Sequence, residues 1–277
     1  MTGTCGENLT WHFDGGTLTI SGNGALDDCN FSEIIAQSIA QVIIESGVTS
    51  VGKFAFSFCN ALKNISLPET VTDIGGSAFL FCESLQSIKI PASLDEIRKS
   101  TFCGCWSLTE IDLPENLRGL GENSFGNCVS LTAIKIPAGV VEIGRKAFAG
   151  CESLENIALP DGLKKIGSGA FEGCESLQSI KIPASVTNLG NGVFNLCSRL
   201  EKIFYAAGSN LEKILSEGNR AELVATIDEP KSPAQNWHLD GDTLTIIDAD
   251  KLKSLTHDEK APWHDRRESI KRIIITS

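Results

Sequence analysis

The chain is poor in the residues that carry most catalytic chemistry: its 277 residues include four histidines, one tyrosine and one methionine, and aromatics make up 6%. The histidines His12, His238, His257 and His264 lie towards the two ends. No His-Glu-x-x-His pair, phosphate-binding loop, Gly-x-Ser-x-Gly elbow or dinucleotide fingerprint occurs. A non-enzymatic protein is expected, with no catalytic residues, no cofactor and no metal site. Basic charge is scarce too. With 24 Lys and Arg against 35 Asp and Glu the net charge is -11, which argues against nucleic-acid binding, because phosphate tracking rests on clustered cations. No apolar run approaches the roughly 20 residues of a membrane-spanning helix, so membrane insertion is not expected. The amino terminus, Met-Thr-Gly-Thr-Cys-Gly, shows neither the basic nor the apolar stretch of an export signal, which keeps a cytoplasmic location open.

What the chain does have is a period. Leu-x-x-Ile-x-Leu/Ile-Pro recurs every 23 residues, with prolines at Pro68, Pro91, Pro114, Pro137, Pro160 and Pro183. A phenylalanine column (Phe56, Phe79, Phe102, Phe125, Phe148, Phe171, Phe194) and a cysteine column (Cys59, Cys82, Cys105, Cys128, Cys151, Cys174, Cys197) keep the same step. Units of this length cannot bury an apolar face alone and must stack, so the period predicts a solenoid. Full repeats span 39–61, 62–84, 85–107, 108–130, 131–153, 154–176 and 177–199, and a partial one starts at Leu200.

In each rung Leu62, Ile65, Leu67 and their equivalents are expected to point inward from a short strand that the proline ends, because proline cannot donate to a continuing ladder. Successive strands should form one long parallel sheet. Val71 and Ile74 return apolar side chains to the interior, Gly75 permits a bend, and Ala78, Phe79 and Cys82 suggest a short helical turn that closes the coil. Column cysteines point the same way, which favours reduced thiols acting as small buried hydrophobes over disulfides. Cys5, Cys29 and Cys103 lie off the column, and the spacing of Cys103-Gly-Cys105 does not match a redox or zinc pair.

The flanks read as caps. Residues 1–38 contain Leu9 to Ile20, which alternates polar and apolar around Asp-Gly-Gly and predicts a hairpin. After the array (39–205), residues 206–229 suggest a helix over 210–217 and a last strand near 223–227. Residues 230–277 repeat the amino-terminal cap: Trp237 to Ile246 matches Trp11 to Ile20, and Ser269 to Ser277 matches Ser38 to Ser46. This segment is either the start of a second array or a pad that closes the first, and the residues around Glu229 to Pro233 read as a linker.

The pattern Leu-x-x-Ile-x-Leu-Pro-x-x-Val-x-x-Ile-Gly-x-x-Ala-Phe-x-x-Cys, as it stands from Leu62 to Cys82, resembles the BspA-like leucine-rich repeat family, and the Leu-Thr-Trp hairpin is similar to segments that precede such arrays. The resemblance implies a curved right-handed coil with a parallel sheet on its concave side. It also implies a cell-surface or secreted adhesion protein that binds host or matrix proteins. It supplies no catalytic residues.

Outward strand positions decide what such a sheet can bind. The column Ser66, Lys89, Asp112, Lys135, Ala158, Lys181 and Phe204 carries a lysine at every second rung, with Glu69, Glu115 or Asp161 after the intervening prolines. This super-period fits a protein partner with acidic groups. It also fits duplication of a two-rung unit that avoids cross-strand repulsion. One rung departs at several places, with Arg98 for Gly, Thr101 for Ala, an extra Cys103 and Trp106 for Glu. Arg98 and Trp106 form a weaker candidate, either a hot spot or outer-side drift. Phe58 and Phe81 are expected to pack under the amino-terminal cap.

Overall fold

The structure, a computed structural model, describes residues 1–27 and 33–206 together with four later strands. It divides into two compact units at Ile227/Asp228. The first unit opens with β1 (Thr2–Thr4), β2 (Leu9–Asp14) and β3 (Thr17–Gly22), an antiparallel meander. Gly15 and Gly16, both at positive φ (54° and 85°), make the left-handed two-residue turn that a tight hairpin needs. Next come β4 (Gly24–Leu26), α1 (Glu33–Ser38), β5 (Gln41–Ile44) and β6 (Val48–Val51). β3 runs parallel to β5 and β4 runs parallel to β6. The cap therefore covers the first edge of two different sheets, edges that would otherwise present open strand backbone.

From residue 62 onward two kinds of strand alternate. They are β7 (Asn64–Ser66), β8 (Asp73–Ile74), β9 (Ser87–Ile88), β10 (Glu96–Ile97), β11 (Gly119–Leu120) and β12 (Ala133–Lys135), then β13 (Glu142–Ile143), β14 (Asn156–Ala158), β15 (Lys165–Ile166), β16 (Ser179–Ile182) and β17 (Asn188–Leu189). Strands before the proline stack on one wall and returning strands stack on another, every pair parallel. β18 (Lys202–Ala206) and β19 (Val224–Ile227) extend the first wall. The strand expected near 223–227 is present, whereas the helix expected over 210–217 lies outside the described residues.

The single long sheet expected before the prolines is broken. β5, β7 and β9 belong to the cap sheet, β12–β14 and β16–β18–β19 form separate sheets, and Lys89 meets Asp112 in one isolated bridge. The cause is local: proline limits each strand to two to four residues in mid-array, so a small deviation removes the ladder. The returning segments build the longer uninterrupted stack, β10–β11–β13–β15–β17. Period-2 alternation cannot reveal a two-residue strand, which is why this second wall was not expected as a sheet.

The third side of each coil is a turn, where a short helical turn was expected. Amides alternate in their use: Ser77, Phe79 and Phe81 donate to Lys99, Thr101 and Cys103 of the next rung, while Ala78, Leu80 and Cys82 donate three residues back. Two residues per rung sit at positive φ, among them Ser77 (59°) and Phe81 (55°), Asn123 (56°) and Asn127 (56°). A helix cannot contain those dihedrals. Gly75 is required for another reason than a bend, since its φ is ordinary. A Cβ there would lie 2.5 Å from the Lys53 nitrogen, so the glycine lets successive rungs approach.

The interior is a set of columns. Phe56 through Phe171 are fully buried, and neighbouring rings stack at 5.4–5.9 Å between centroids with nearly parallel planes. Ile65, Ile88, Ile134 and Ile157 pack inward from the first wall, and Ile74, Ile97, Ile143 and Ile166 from the second. The column cysteines are thiols outside any disulfide, but they do more than fill space. From Cys82 to Cys197 each Sγ donates to a phenylalanine carbonyl of the preceding rung, Cys82 to Phe56 at 3.1 Å and Cys128 to Phe102 at 3.2 Å.

The second unit contains β20 (Trp237–Asp240), β21 (Thr243–Ile246) and β22 (Arg272–Ile275). β20 and β21 form an antiparallel hairpin, and β22 runs parallel to β21.

Candidate protein-binding face

The first wall faces out through the side chains that alternate with its buried isoleucines. Pairing places Ile43 beside Ser66, Lys89 beside Asp112, Lys135 beside Ala158, and Lys181 beside Phe204. These pairs follow each other at the repeat step and make one file. Ser66, Lys89, Asp112, Lys135 and Lys181 are exposed and Phe204 is half-buried.

Two of the lysines already have carboxylate neighbours. Lys89 Nζ lies 2.8 Å from Glu69 Oε1, and Lys135 Nζ lies 2.6 Å from Glu115 Oε1. Glu69 also accepts the Ala92 amide at 3.2 Å. The hydrogen bond from Lys89, and then that amide, hold the Glu69 carboxyl below its usual range. Glu69 and Glu115 in turn raise their lysines. The lysine-and-acid super-period is thus an internal pattern of ion pairs that cross one rung. Side-chain exposures of 80% and 58% for the first pair, and 81% and 69% for the second, leave these contacts in water. Exposed pairs of this kind are weak and exchangeable.

The weaker candidates, Arg98 and Trp106, lie in one rung. Arg98 uses its guanidinium on Asp73, at 2.9 Å, and Trp106 stands 44% exposed at a turn. Within the same rung the Thr101 hydroxyl donates to the Arg98 carbonyl at 2.9 Å, and Cys103 Sγ accepts from Asn123 Nδ2 at 3.0 Å. The departures in this rung are satisfied locally.

Phe58 and Phe81 are not buried under the cap. Phe58 is 52% exposed and stacks on Phe81 with centroids 5.5 Å apart. Phe81 in turn lies over Gly104, where a Cβ would meet its ring at 2.3 Å. Phe58 (φ 61°) and Phe81 occupy the left-handed turn position that Gly104, Gly150 and Gly173 fill in later rungs, and Phe54 (φ 58°) the one that Gly169 and Gly192 fill. Left-handed backbone swings these rings outward.

Sequence reasoning missed a groove of about 560 Å³ on the second wall, lined by Arg118, Gly119, Glu122, Glu142, Arg145 and Lys165 among others. Glu122 bridges Lys99 (3.2 Å) and Arg145 (3.4 Å), and Lys165 pairs with Glu142 at 2.7 Å. The signal was present in one column. Asp73, Glu96, Glu142, Lys165 and Asn188 all carry polar side chains, and Gly119 interrupts them without being forced to, since a Cβ there would meet nothing nearer than 3.9 Å.

Among the described residues no cluster of His, Cys, Asp and Glu is arranged to hold a metal ion, and no helix is long and apolar enough to cross a membrane.

These features agree with comparison to known proteins. The chain is similar to a leucine-rich repeat protein from Bacteroides ovatus, with 28% identity and a TM-score of 0.54 over 72% of this chain and 70% of that one. It is similar also to the T. pallidum leucine-rich repeat protein, with 28% identity and a TM-score of 0.55 over 80% of this chain and 99% of that one. No curated protein matches. The family model described as BspA type leucine rich repeat region, in six copies, matches residues 22–148 and 118–218. Columns, turns and family model coincide over more than half of the sequence, and the chain belongs to the BspA-type leucine-rich repeat family.

Proposed function

We propose that this chain is a non-enzymatic protein-binding module that meets its partner on the outward file of the first wall, and that it acts in adhesion at the cell surface or as a secreted protein. The observation that carries this reading is the file itself, a run exposed from Ile43 to Lys181 and half-buried at Phe204, in which Lys89 and Lys135 sit in solvent-exposed, exchangeable ion pairs. A partner carboxylate can replace Glu69 or Glu115 without disturbing the core. Membership of the family supports the surface location, and the host or matrix partner is proposed by resemblance to it.

The test is binding of the purified chain to immobilised matrix and host-surface proteins, beside a variant carrying Lys89→Glu, Lys135→Glu and Lys181→Glu together. Saturable binding that the variant loses is the expected result. Binding that survives in the variant would move the site to Trp106 or to the groove around Gly119. A second reading, a spacer in a longer tandem protein, draws on the repeated cap strands of the second unit, and absence of binding to every immobilised protein would favour it. An intracellular scaffold is the remaining alternative, and detection of the native protein inside intact cells would select it.

A further inference from the structure

The three described strands of the second unit copy β2, β3 and β5 of the first. In the first unit Trp11 pairs with Ile20, His12 with Thr19, Phe13 with Leu18 and Asp14 with Thr17. In the second, Trp237 pairs with Ile246, His238 with Thr245, Leu239 with Leu244 and Asp240 with Thr243. The third strand agrees as well: Thr17 to Ile20 run parallel to Gln41 to Ile44, and Thr243 to Ile246 run parallel to Arg272 to Ile275 with the same register. A hairpin alone can recur by chance of turn chemistry. A hairpin joined by a long connection to a parallel third strand in matched register is a more specific construction, because parallel pairing needs a crossover.

In the first unit the far edge of this three-strand motif is occupied. β5 pairs there with β7, the first strand of the second repeat, through Gln41 and Asn64, Val42 and Ile65, and Ile43 and Ser66. Among the described residues no strand pairs with the corresponding edge of β22. An open strand edge presents a row of amides and carbonyls that template another strand. We propose that the second unit is a second array-starting cap, and that the edge of β22 receives a parallel strand of the 23-residue repeat joined to it in the same polypeptide, as β7 is joined to β5. This assignment is independent of whether the outward file binds a partner.

Backbone direction says which groups would do the pairing. Alternate residues of a strand turn their amides to the same side. Gln41 and Glu45 donate towards β3, to Gly16 and Ile20, which leaves Val42 and Ile44 facing β7. Their counterparts in β22 are Ile273 and Ile275. In the sequence Ser277 matches Ser46, so residues 47–206 joined after Ser277 keep the repeat step.

Hydrogen exchange on the 277-residue chain, and on the same chain extended after Ser277 by a second copy of residues 47–206, tests the proposal. The amides of Ile273 and Ile275 should exchange more slowly in the extended chain by about tenfold or more, as edge donors become paired. Ile65→Pro made in the appended copy alone should remove that protection while Val42 and Ile44 keep theirs. Unchanged exchange at Ile273 and Ile275 would overturn the proposal, whether the appended array folds or not. Protection that already appears in the 277-residue chain and grows with its concentration would also overturn it, by making a second copy the occupant.

Discussion

The cysteine column shows how one side chain can serve two rungs. Phe102 O accepts both the Cys105 amide, at 3.2 Å, and the Cys128 thiol from the next rung, also at 3.2 Å. Cysteine fits because it is small, apolar enough for a buried column and still able to donate weakly. Burial pushes every described column thiol that titrates abnormally upward, Cys59 to about 12 from an ordinary 9.0. The folded state then holds protons that the unfolded chain releases, so stability is full below about pH 9 and falls as pH rises towards the folded value. The slope is about 1.4 kcal/mol per pH unit for each such thiol. Urea midpoints measured at pH 8 and pH 10 should show a marked loss at the higher pH, and a variant with Cys128→Ala should show a shallower one. Ser124 is the counterexample in the neighbouring column. Its hydroxyl is fully buried without a partner where Ala78, Ala147 and Ala170 stand in other rungs. Ser124→Ala should raise stability by about 1 kcal/mol, read as a higher urea midpoint with unchanged slope.

At the scale of the element, the turn wall decides which rungs are comfortable. Its two positive-φ positions hold glycine at Gly104, Gly150, Gly169, Gly173 and Gly192, but Leu196 at φ 59° with 70% of its surface exposed. A branched side chain gains no burial there and carries the left-handed penalty. Leu196→Gly should therefore stabilise by about 1 kcal/mol. The stacked phenylalanines pull the other way. Phe125 lies between Phe102 and Phe148, 5.5 Å from each ring, and Phe125→Ala should cost about 3 to 5 kcal/mol by leaving a cavity in mid-column. Calorimetric unfolding of both variants checks the opposite signs. The period, the inward isoleucines and the prolines were legible because each repeats at a fixed step. The turn conformation was not, since Phe81, Gly104 and Asn127 share one backbone geometry while having nothing chemical in common.

At the scale of the whole molecule, stability is spread along an array in which each rung contacts mainly its neighbours, and the surface is free to vary. The triple lysine-to-glutamate variant should consequently keep a thermal midpoint near that of the wild type, because Lys89 and Lys135 hold only exposed ion pairs. A large loss of midpoint would mean that the file is structural and not a free surface. Sequence alone determined the 23-residue translation, the inward columns, the family and the repetition of the cap, since all of these are properties of spacing and need no knowledge of what touches what. Only the tertiary structure decided that Glu69 and Glu115 meet the lysines twenty residues later, that thiols reach back to carbonyls, and that Gly119 lines a groove. Those facts depend on stacking one rung upon the next, which brings together residues that no local pattern pairs.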